Sequence, residues 1–194
     1  MSDSKIAKVI ICNSILICFS ALLLSNNGGD NLKLWSADTK LTWKDFRDTV
    51  FSHSHRAAWT FSGFKLVTTS STANAITLNV YSQMNCDKSW VDTTKKSDRL
   101  LSHEQYHFNV TEYWCRKLKK DLSSAKFTTK NFNEKLQSIS KEDNSKLHDM
   151  QEEYDKDTNH SMIADQQTKW EKRIDELLKS TEKYADANLT LAIK

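Results

Sequence analysis

The residues of this 194-residue chain best suited to chemistry are the pentapeptide His103-Glu104-Gln105-Tyr106-His107. On an α-helix, residues four apart lie one above the other on the same face, so both imidazoles can reach one ion. Glu104 projects beside that ion, where its carboxylate can accept a proton from a zinc-activated water. The spacing therefore predicts a zinc site with His103 and His107 as ligands and Glu104 as the general base.

The residues around the pentapeptide predict the helix that this spacing requires. Neither Gly nor Pro interrupts residues 96–123, and Ser97 and Asp98 are suitable N-caps. Both motif histidines fall on or beside an apolar stripe, where an unpaired imidazole would be costly to bury. A chance match on a surface helix is therefore the weaker interpretation. The stripe has three- and four-residue spacing and consists of Leu100, Leu101, Phe108, Trp114, Cys115, Leu118 and Leu122.

A catalytic zinc ion usually has three protein ligands, so a third ligand must come from elsewhere in the chain. His160 lies where two helical patterns meet, and its residue type and position make it the favoured third ligand. Glu153 is the alternative, because Glu153 and Asp157 follow the E-x-x-x-D spacing of peptidases with a glutamate ligand. Tyr154 is predicted either to stabilise the oxyanion or only to pack between helices. Asp155 is predicted either to orient a ligand imidazole or to be a plain helix-end charge.

The first 25 residues have the pattern of a targeting segment. Lys5 and Lys8 precede an apolar run, residues 9–24, which is short for a membrane span of about 20 apolar residues. We expect residues 1–25 to be a signal peptide, with a retained N-terminal membrane anchor as the alternative, and residues 26–33 to be a linker. Residues 34–194 then form a single zincin-like metallopeptidase domain. The protein is expected to be periplasmic or extracellular.

Composition excludes two other classes of function. The net charge is only +3, and acidic and basic residues are intermixed without a basic stripe carrying aromatic residues, so we expect no nucleic-acid partner. The chain has only three glycines, Gly28, Gly29 and Gly63, and no glycine-rich phosphate loop. The expected partner is a peptide or protein substrate.

The cysteines predict one disulfide bond. Cys12 and Cys18 lie in the predicted signal segment, which leaves Cys86 and Cys115 in the domain. Two remaining cysteines in an exported protein usually pair, and a bridge closing a loop of about 30 residues stabilises by roughly 3 kcal/mol. Cys115 could instead bind metal, but it is two helical turns from His107 and therefore too distant.

The rest of the sequence predicts an α+β fold. Residues 57–69 are rich in aromatic and β-branched side chains, and residues 76–82 alternate as in a half-buried strand. Two helical patterns follow the motif helix, in residues 132–154 and 162–178. We expect a small antiparallel sheet packed on the active-site helix, followed by a long C-terminal helical hairpin. The edge of the strand in residues 76–82 is expected to align an extended substrate.

Three stretches carry a family resemblance: Leu41 to Phe46, Ser102 to Phe108, and Tyr154-Asp155 followed by Thr158-Asn159-His160. In this order they resemble a bacterial family of unknown function whose members are described as secreted zinc-dependent proteases. The resemblance covers about residues 34–180 and implies a zinc-peptidase-like fold with His160 as the third ligand. Ser161 stands where the family usually has Gly, so the backbone conformation at this position is in question.

The expected function is therefore that of a secreted zinc metallopeptidase that hydrolyses peptide bonds through a zinc-activated water, with Glu104 as the base. One alternative is a non-catalytic, zinc-stabilised binding module of the cell envelope, for which a fourth protein ligand closing the site would be diagnostic. Another is hydrolysis of a non-protein envelope amide at the same site. Histidine ligands also accept other late first-row metals.

Overall fold

The computed structural model describes residues 31–50 and 56–194. The predicted signal or anchor, residues 1–25, lies outside the described residues, whereas Leu32 and Lys33 of the predicted linker belong to a strand. None of the helices within the described ranges is long and apolar enough to cross a membrane. In chain order the elements are β1 (Leu32–Leu34), β2 (Ala58–Trp59), β3 (Ser62–Ser71), β4 (Ala75–Asn85), β5 (Trp90–Val91), α1 (Asp98–Ser124), α2 (Phe132–Thr158), α3 (Ala164–Ser180) and β6 (Asn188–Ala192).

The sheet is built around β4, and the α+β class with a small antiparallel sheet and three helices is confirmed. β4 pairs antiparallel with β3 along one edge and with β1 and β6 along the other. The prediction that residues 76–82 offer an edge to substrate is therefore wrong, because both edges of that strand are already paired. Among the described strands, β3 is the edge strand on one side of this sheet, and β1 and β6 are the edge strands on the other. A separate two-stranded sheet joins β2 to β5.

The predicted motif helix is α1, and it packs its apolar face on the sheet. Ser97 is its N-cap, as expected, since its hydroxyl accepts a hydrogen bond from the Leu100 backbone N–H at 3.2 Å. Alternate β4 residues face this helix and are buried, which explains the period of two in the sequence. The contacts form two clusters, one around Met84 and Phe108 near the motif, the other of Leu78, Val80, Cys115, Leu118, Leu122, Phe127, Leu191 and Ile193.

The predicted C-terminal helical hairpin is α2 and α3, joined by a tight turn. Three consecutive non-glycine residues in this turn are left-handed: Asn159 (φ 46°), His160 (φ 51°) and Ser161 (φ 74°). Side chains with a Cβ rarely adopt this conformation, so the turn is strained. It is held by backbone hydrogen bonds, from His160 N–H to the Asp155 carbonyl and from Ile163 N–H to the Thr158 carbonyl, both at 2.9 Å. The turn thereby fixes His160 beside the end of α2.

The chain after α3 differs from expectation. No strand was predicted after the motif helix, yet Asn188–Ala192 forms β6 and pairs with Ala75–Asn79 of β4. Leu191 is buried against the sheet core. The segment Asn188 to Ala192 is too short to show a decisive period, and its strand structure depends on a partner more than a hundred residues earlier.

The predicted disulfide is not formed. Within the described residues Cys86 and Cys115 are both buried free thiols. Cys115 packs with Leu78 and Val80, whereas Cys86 follows the opposite end of β4. Six residues of extended strand separate Val80 from Cys86, which corresponds to about 20 Å. A disulfide requires Cα atoms within about 7 Å, so the fold keeps the two thiols apart.

Candidate metal centre

The two motif histidines meet at a single point beside the end of α2. Their Nε2 atoms lie 3.1 Å apart, as expected for imidazoles one helical turn apart on one face. Asp155, in the last turn of α2, places Oδ1 at 3.0 Å from each of these nitrogens. All three side chains are buried. Packing of α1 against α2 therefore brings together residues about 50 positions apart.

These three atoms have the chemistry and spacing of a metal site. Two ligands of a tetrahedral zinc ion, each about 2.0–2.1 Å from it, lie about 3.3 Å apart. The sides of the triangle formed by His103 Nε2, His107 Nε2 and Asp155 Oδ1 are 3.0, 3.0 and 3.1 Å. Imidazole nitrogens with a carboxylate oxygen suit zinc and several other divalent first-row metals. The residues present therefore fit a divalent metal ion.

The third position of this triangle is occupied by Asp155, whereas the sequence favoured His160. His160 Nδ1 lies 3.2 Å from Asp155 Oδ1, and its side chain is 38% exposed. In the described part of the chain, one group of possible metal ligands has all its ligand atoms within 4.8 Å of one another. It consists of His103, His107 and Asp155. The alternative ligand Glu153 is half exposed and pairs with Arg173 at 3.6 Å. His160 thus adjoins the triangle, and Glu153 is engaged elsewhere.

The charges in this cluster stabilise one another. Burial opposes ionisation of Asp155, but hydrogen bonds from His103 and His107 outweigh it and hold the pKa of its carboxyl well below the usual range. Burial likewise opposes protonation of His107, yet the Asp155 carboxylate raises its pKa above the ordinary value. The carboxylate is therefore ionised, and a metal cation would compete with protons for the same nitrogens.

Glu104 lies beside the triangle and is held by one hydrogen bond. Its Oε2 accepts from the Thr60 hydroxyl at 2.6 Å, and Thr60 lies in the short link between β2 and β3. Glu104 as a whole residue is only 3% exposed, but it lines an open cleft. The position predicted for a general base is therefore occupied by a carboxylate of fixed orientation.

The structure does not support the predicted oxyanion role of Tyr154. Its side chain is fully buried, and its ring stacks on His103 with centroids 4.5 Å apart. Its hydroxyl accepts a hydrogen bond from the Gln167 amide at 2.5 Å and lies 3.4 Å from the His103 carbonyl oxygen. Tyr154 therefore packs beneath the imidazoles, in agreement with the packing alternative.

Two glutamines contact the imidazoles on the side away from the triangle. Gln167 Oε1 lies 3.0 Å from His103 Nδ1, and Gln151 Oε1 contacts His107 Nδ1. Neither was identified from the sequence, because they follow the motif by 44 and 64 residues. Gln151 and Asp155 are four residues apart on one helix, so the sequence could have shown that they share a face.

The cleft above the cluster has a volume of about 500 Å³. The link from Arg56 through β2 into β3 forms one wall, and α2 forms the other. The Arg56 guanidinium lies 4.4 Å from the centroid of the Trp59 ring and 3.4 Å from Asp155 Oδ2. Trp59 and Phe61 are exposed aromatic residues on this wall. The cleft thus contains a fixed cation and apolar surface beside the cluster.

The sequence profile of a bacterial protein family of unknown function, DUF922, matches residues 53–161. This chain is a member of the DUF922 family. The matched region of the DUF922 chain begins just before Arg56 and ends just after His160, so it includes both motif histidines, Glu104 and Asp155. The curated proteins and the solved structures contain no significant match to the chain.

Proposed function

We propose that this DUF922 member is a zinc-dependent, zincin-like peptidase. The observation that carries the proposal is that the donor triangle and the Glu104 carboxylate face the same open cleft. His103, His107 and Asp155 would hold the ion, with His160 next to them. A bound zinc ion acts as a Lewis acid that polarises the attacked carbonyl and acidifies a water molecule. On the pattern of residues 1–25, we further propose that the protein acts outside the cytoplasm.

Glu104 is the general base in this proposal. Its carboxylate takes a proton from the attacking water and delivers it to the nitrogen of the leaving amine, so that the peptide bond breaks with no net change in the enzyme. The Thr60 hydroxyl, donating to Oε2 at 2.6 Å, holds the carboxylate in one orientation. The other carboxylate oxygen is then the one available to the water.

Arg56 replaces Tyr154 as the group that stabilises the oxyanion. It is a permanent cation on the wall of the cleft, and its contacts with Trp59 and Asp155 fix its position. As the attacked carbonyl gains negative charge, a nearby fixed cation stabilises the transition state more than the ground state. Tyr154 has no access to the cleft and cannot supply this interaction.

The substrate in this proposal is an extended polypeptide aligned on β3. Phe61 directs its carbonyl towards β4, where it accepts from Asn85 N–H at 2.8 Å. Because backbone groups alternate along an antiparallel strand, Ser62 and Phe64 direct theirs away from β4, towards the unpaired edge. Such an edge can pair with an added strand, and it adjoins the cleft that contains Glu104.

One observation favours the non-catalytic binding module as a second candidate. His160 Nδ1 lies only 3.2 Å from Asp155 Oδ1, so His160 is near enough to add a fourth protein ligand by a small side-chain movement. Four protein ligands are typical of structural zinc sites, whereas catalytic sites keep one position for water. The open cleft beside Glu104 favours the peptidase.

Substitution of Glu104 by Gln tests the proposal. We expect E104Q to lose at least about 100-fold in kcat/KM on a fluorogenic peptide library, because the amide cannot take the proton. Zinc content should stay the same. Glu152→Gln is the matched control, since Glu152 is an exposed carboxylate of α2 that lines the same cleft. Unchanged hydrolysis by E104Q would contradict the peptidase mechanism.

A further inference from the structure

Each motif imidazole has a side-chain amide oxygen opposite its Nδ1 atom. For His103 the acceptor is Gln167 Oε1 at 3.0 Å, and for His107 it is Gln151 Oε1. Gln167 lies on α3 and Gln151 on α2, but each places its amide oxygen against Nδ1 of one motif histidine. Both motif imidazoles therefore lie between an amide on one side and the donor triangle on the other.

The orientation of both amides is fixed by the partners of their nitrogen atoms. Gln167 Nε2 donates to the Tyr154 hydroxyl at 2.5 Å and to Glu171 Oε1 at 3.0 Å. Gln151 Nε2 donates to the His107 carbonyl at 2.9 Å and to the Thr111 hydroxyl at 3.3 Å. A carbonyl or carboxylate oxygen can only accept, so each amide nitrogen must face these partners. Each amide oxygen is then left facing the imidazole.

We propose that Gln151 and Gln167 are positioning residues that keep a proton on Nδ1 of both motif histidines and thereby reserve both Nε2 atoms for the donor triangle. An amide oxygen facing Nδ1 can accept only if that nitrogen carries hydrogen. Nε2 is then the nitrogen that shares its proton with Asp155 when no metal is bound, and a metal ion would take the place of that proton. The metal-binding consequence rests on the function proposed above, whereas the position of the proton does not.

The choice of amides rather than carboxylates has an electrostatic effect. A carboxylate acceptor would add negative charge beside Asp155 and Glu104, which already face one small volume. A neutral amide orients the ring without that charge. The pair Gln151 and Gln167 thus sets ring geometry while leaving the charge of the centre to Asp155 and Glu104.

The proton position is tested first, on the metal-free full-length protein, by nitrogen-15 and proton NMR of the histidine rings. In the unmodified protein we expect both Nδ1 protons to exchange slowly with water. Gln167→Met should abolish this protection at His103 alone, and Gln151→Met at His107 alone. Gln166→Met, next to Gln167 on α3, is the control and should leave both protected. The variants Q167E and Q151E retain an oxygen acceptor and should retain the protected proton.

Zinc affinity is the second measurement, by competition with a chromophoric chelator. We expect each Met variant to bind zinc about 10- to 100-fold more weakly, the usual effect of losing a partner of a ligand histidine. Nδ1 protons that are unprotected in the unmodified protein, or unaffected by Q167M and Q151M, would overturn the proposal. If the unmodified protein binds no zinc, the proposed function fails, and the NMR result still decides the role of the two glutamines.

Discussion

Asp155 and His160 are rival candidates for the third metal ligand, and single substitutions can distinguish them. We expect Asp155→Ala to lose most of the bound zinc, because it removes a corner of the donor triangle, whereas His160→Ala keeps about one zinc per chain. Metal content after dialysis, measured by mass spectrometry, decides between them. The reverse result would make His160 the third ligand, as its position in the sequence suggested.

A second prediction concerns the left-handed turn beside His160. Ser161 has φ 74°, a conformation that costs a residue with a Cβ about 1 kcal/mol relative to Gly. We expect Ser161→Gly to raise the free energy of unfolding by about 0.5–1 kcal/mol, measured by urea denaturation. Ser161→Ala removes the same hydroxyl but keeps the Cβ, so it should give no gain. Equal gains for both variants would show that the hydroxyl, not the backbone, is responsible.

Sequence reasoning could find the residues of the site whose spacing is local. His103, Glu104 and His107 follow from helical periodicity alone, and the structure places them together. The relation between Asp155 and His160 depends on three left-handed residues, which no pattern of side chains predicts. Gln167 was missed for another reason: its contact with His103 requires the packing of α3 against α1.

Helices and strands with a long periodic pattern of apolar residues were predicted better than those with a short one. α1 and β4 each carry several periods of their pattern; α1 was predicted close to its true bounds, whereas the strand predicted in residues 76–82 ends three residues before β4 does. β6 has five residues, and nothing in its own sequence identifies its partner. The sequence likewise could not show that β4 is interior, because β3 covers only one of its edges and the other is covered by β1 and β6, which are far apart in sequence.

The free edge of β3 leads to a prediction about substrate binding. Gly63 lines the cleft, and a Cβ built on it would have no atom within 4 Å. We expect Gly63→Val to fold normally, with strand stability raised by up to about 1 kcal/mol, because Gly is unfavourable within strands. Its side chain would protrude into the cleft and crowd the side chains of a peptide bound there, so kcat/KM on the fluorogenic peptide library should fall at least about 10-fold.

The control for this variant is two residues further along the same strand. Lys65 does not line the cleft, so Lys65→Val should leave hydrolysis unchanged. Thermal unfolding of both variants checks that the sheet is intact. If Gly63→Val folds and hydrolyses peptides like the unmodified protein, the substrate does not bind along β3.

At the scale of the whole molecule, one buried carboxyl should make stability depend on pH. Burial and the nearby Asp121 carboxylate raise the pKa of Asp143 to about 6, against the effect of Lys146 at 4.0 Å. Its Oδ2 has no hydrogen-bond partner in the part of the chain that the structure describes. The folded state thus binds this proton more tightly than the unfolded chain, and stability from this group falls as pH rises from about 4 to about 6.

An asparagine at position 143 cannot ionise. Asp143→Asn should therefore stabilise the folded protein only above about pH 6, where the Asp143 carboxyl is charged. We expect the free energy of unfolding to rise by about 1–2 kcal/mol at about pH 8 and by almost nothing below about pH 4. Denaturant titrations of both proteins at the two pH values measure the difference. The exposed Asp149 on the same helix is the control, because Asp149→Asn should change stability little at either pH. A gain for Asp143→Asn that is equal at both values would be inconsistent with a raised pKa.

The pairing of β4 with β6 also sets the order in which the molecule can form. Residues 86–187, including all three helices, lie between the two strands. A ribosome must therefore release most of the chain before the sheet can close, and closing so long a loop is slow. During that interval one edge of β4 is partly unpaired and able to join other chains. We therefore expect the need for chaperones during synthesis or transport to be set by β6 rather than by the motif helix α1.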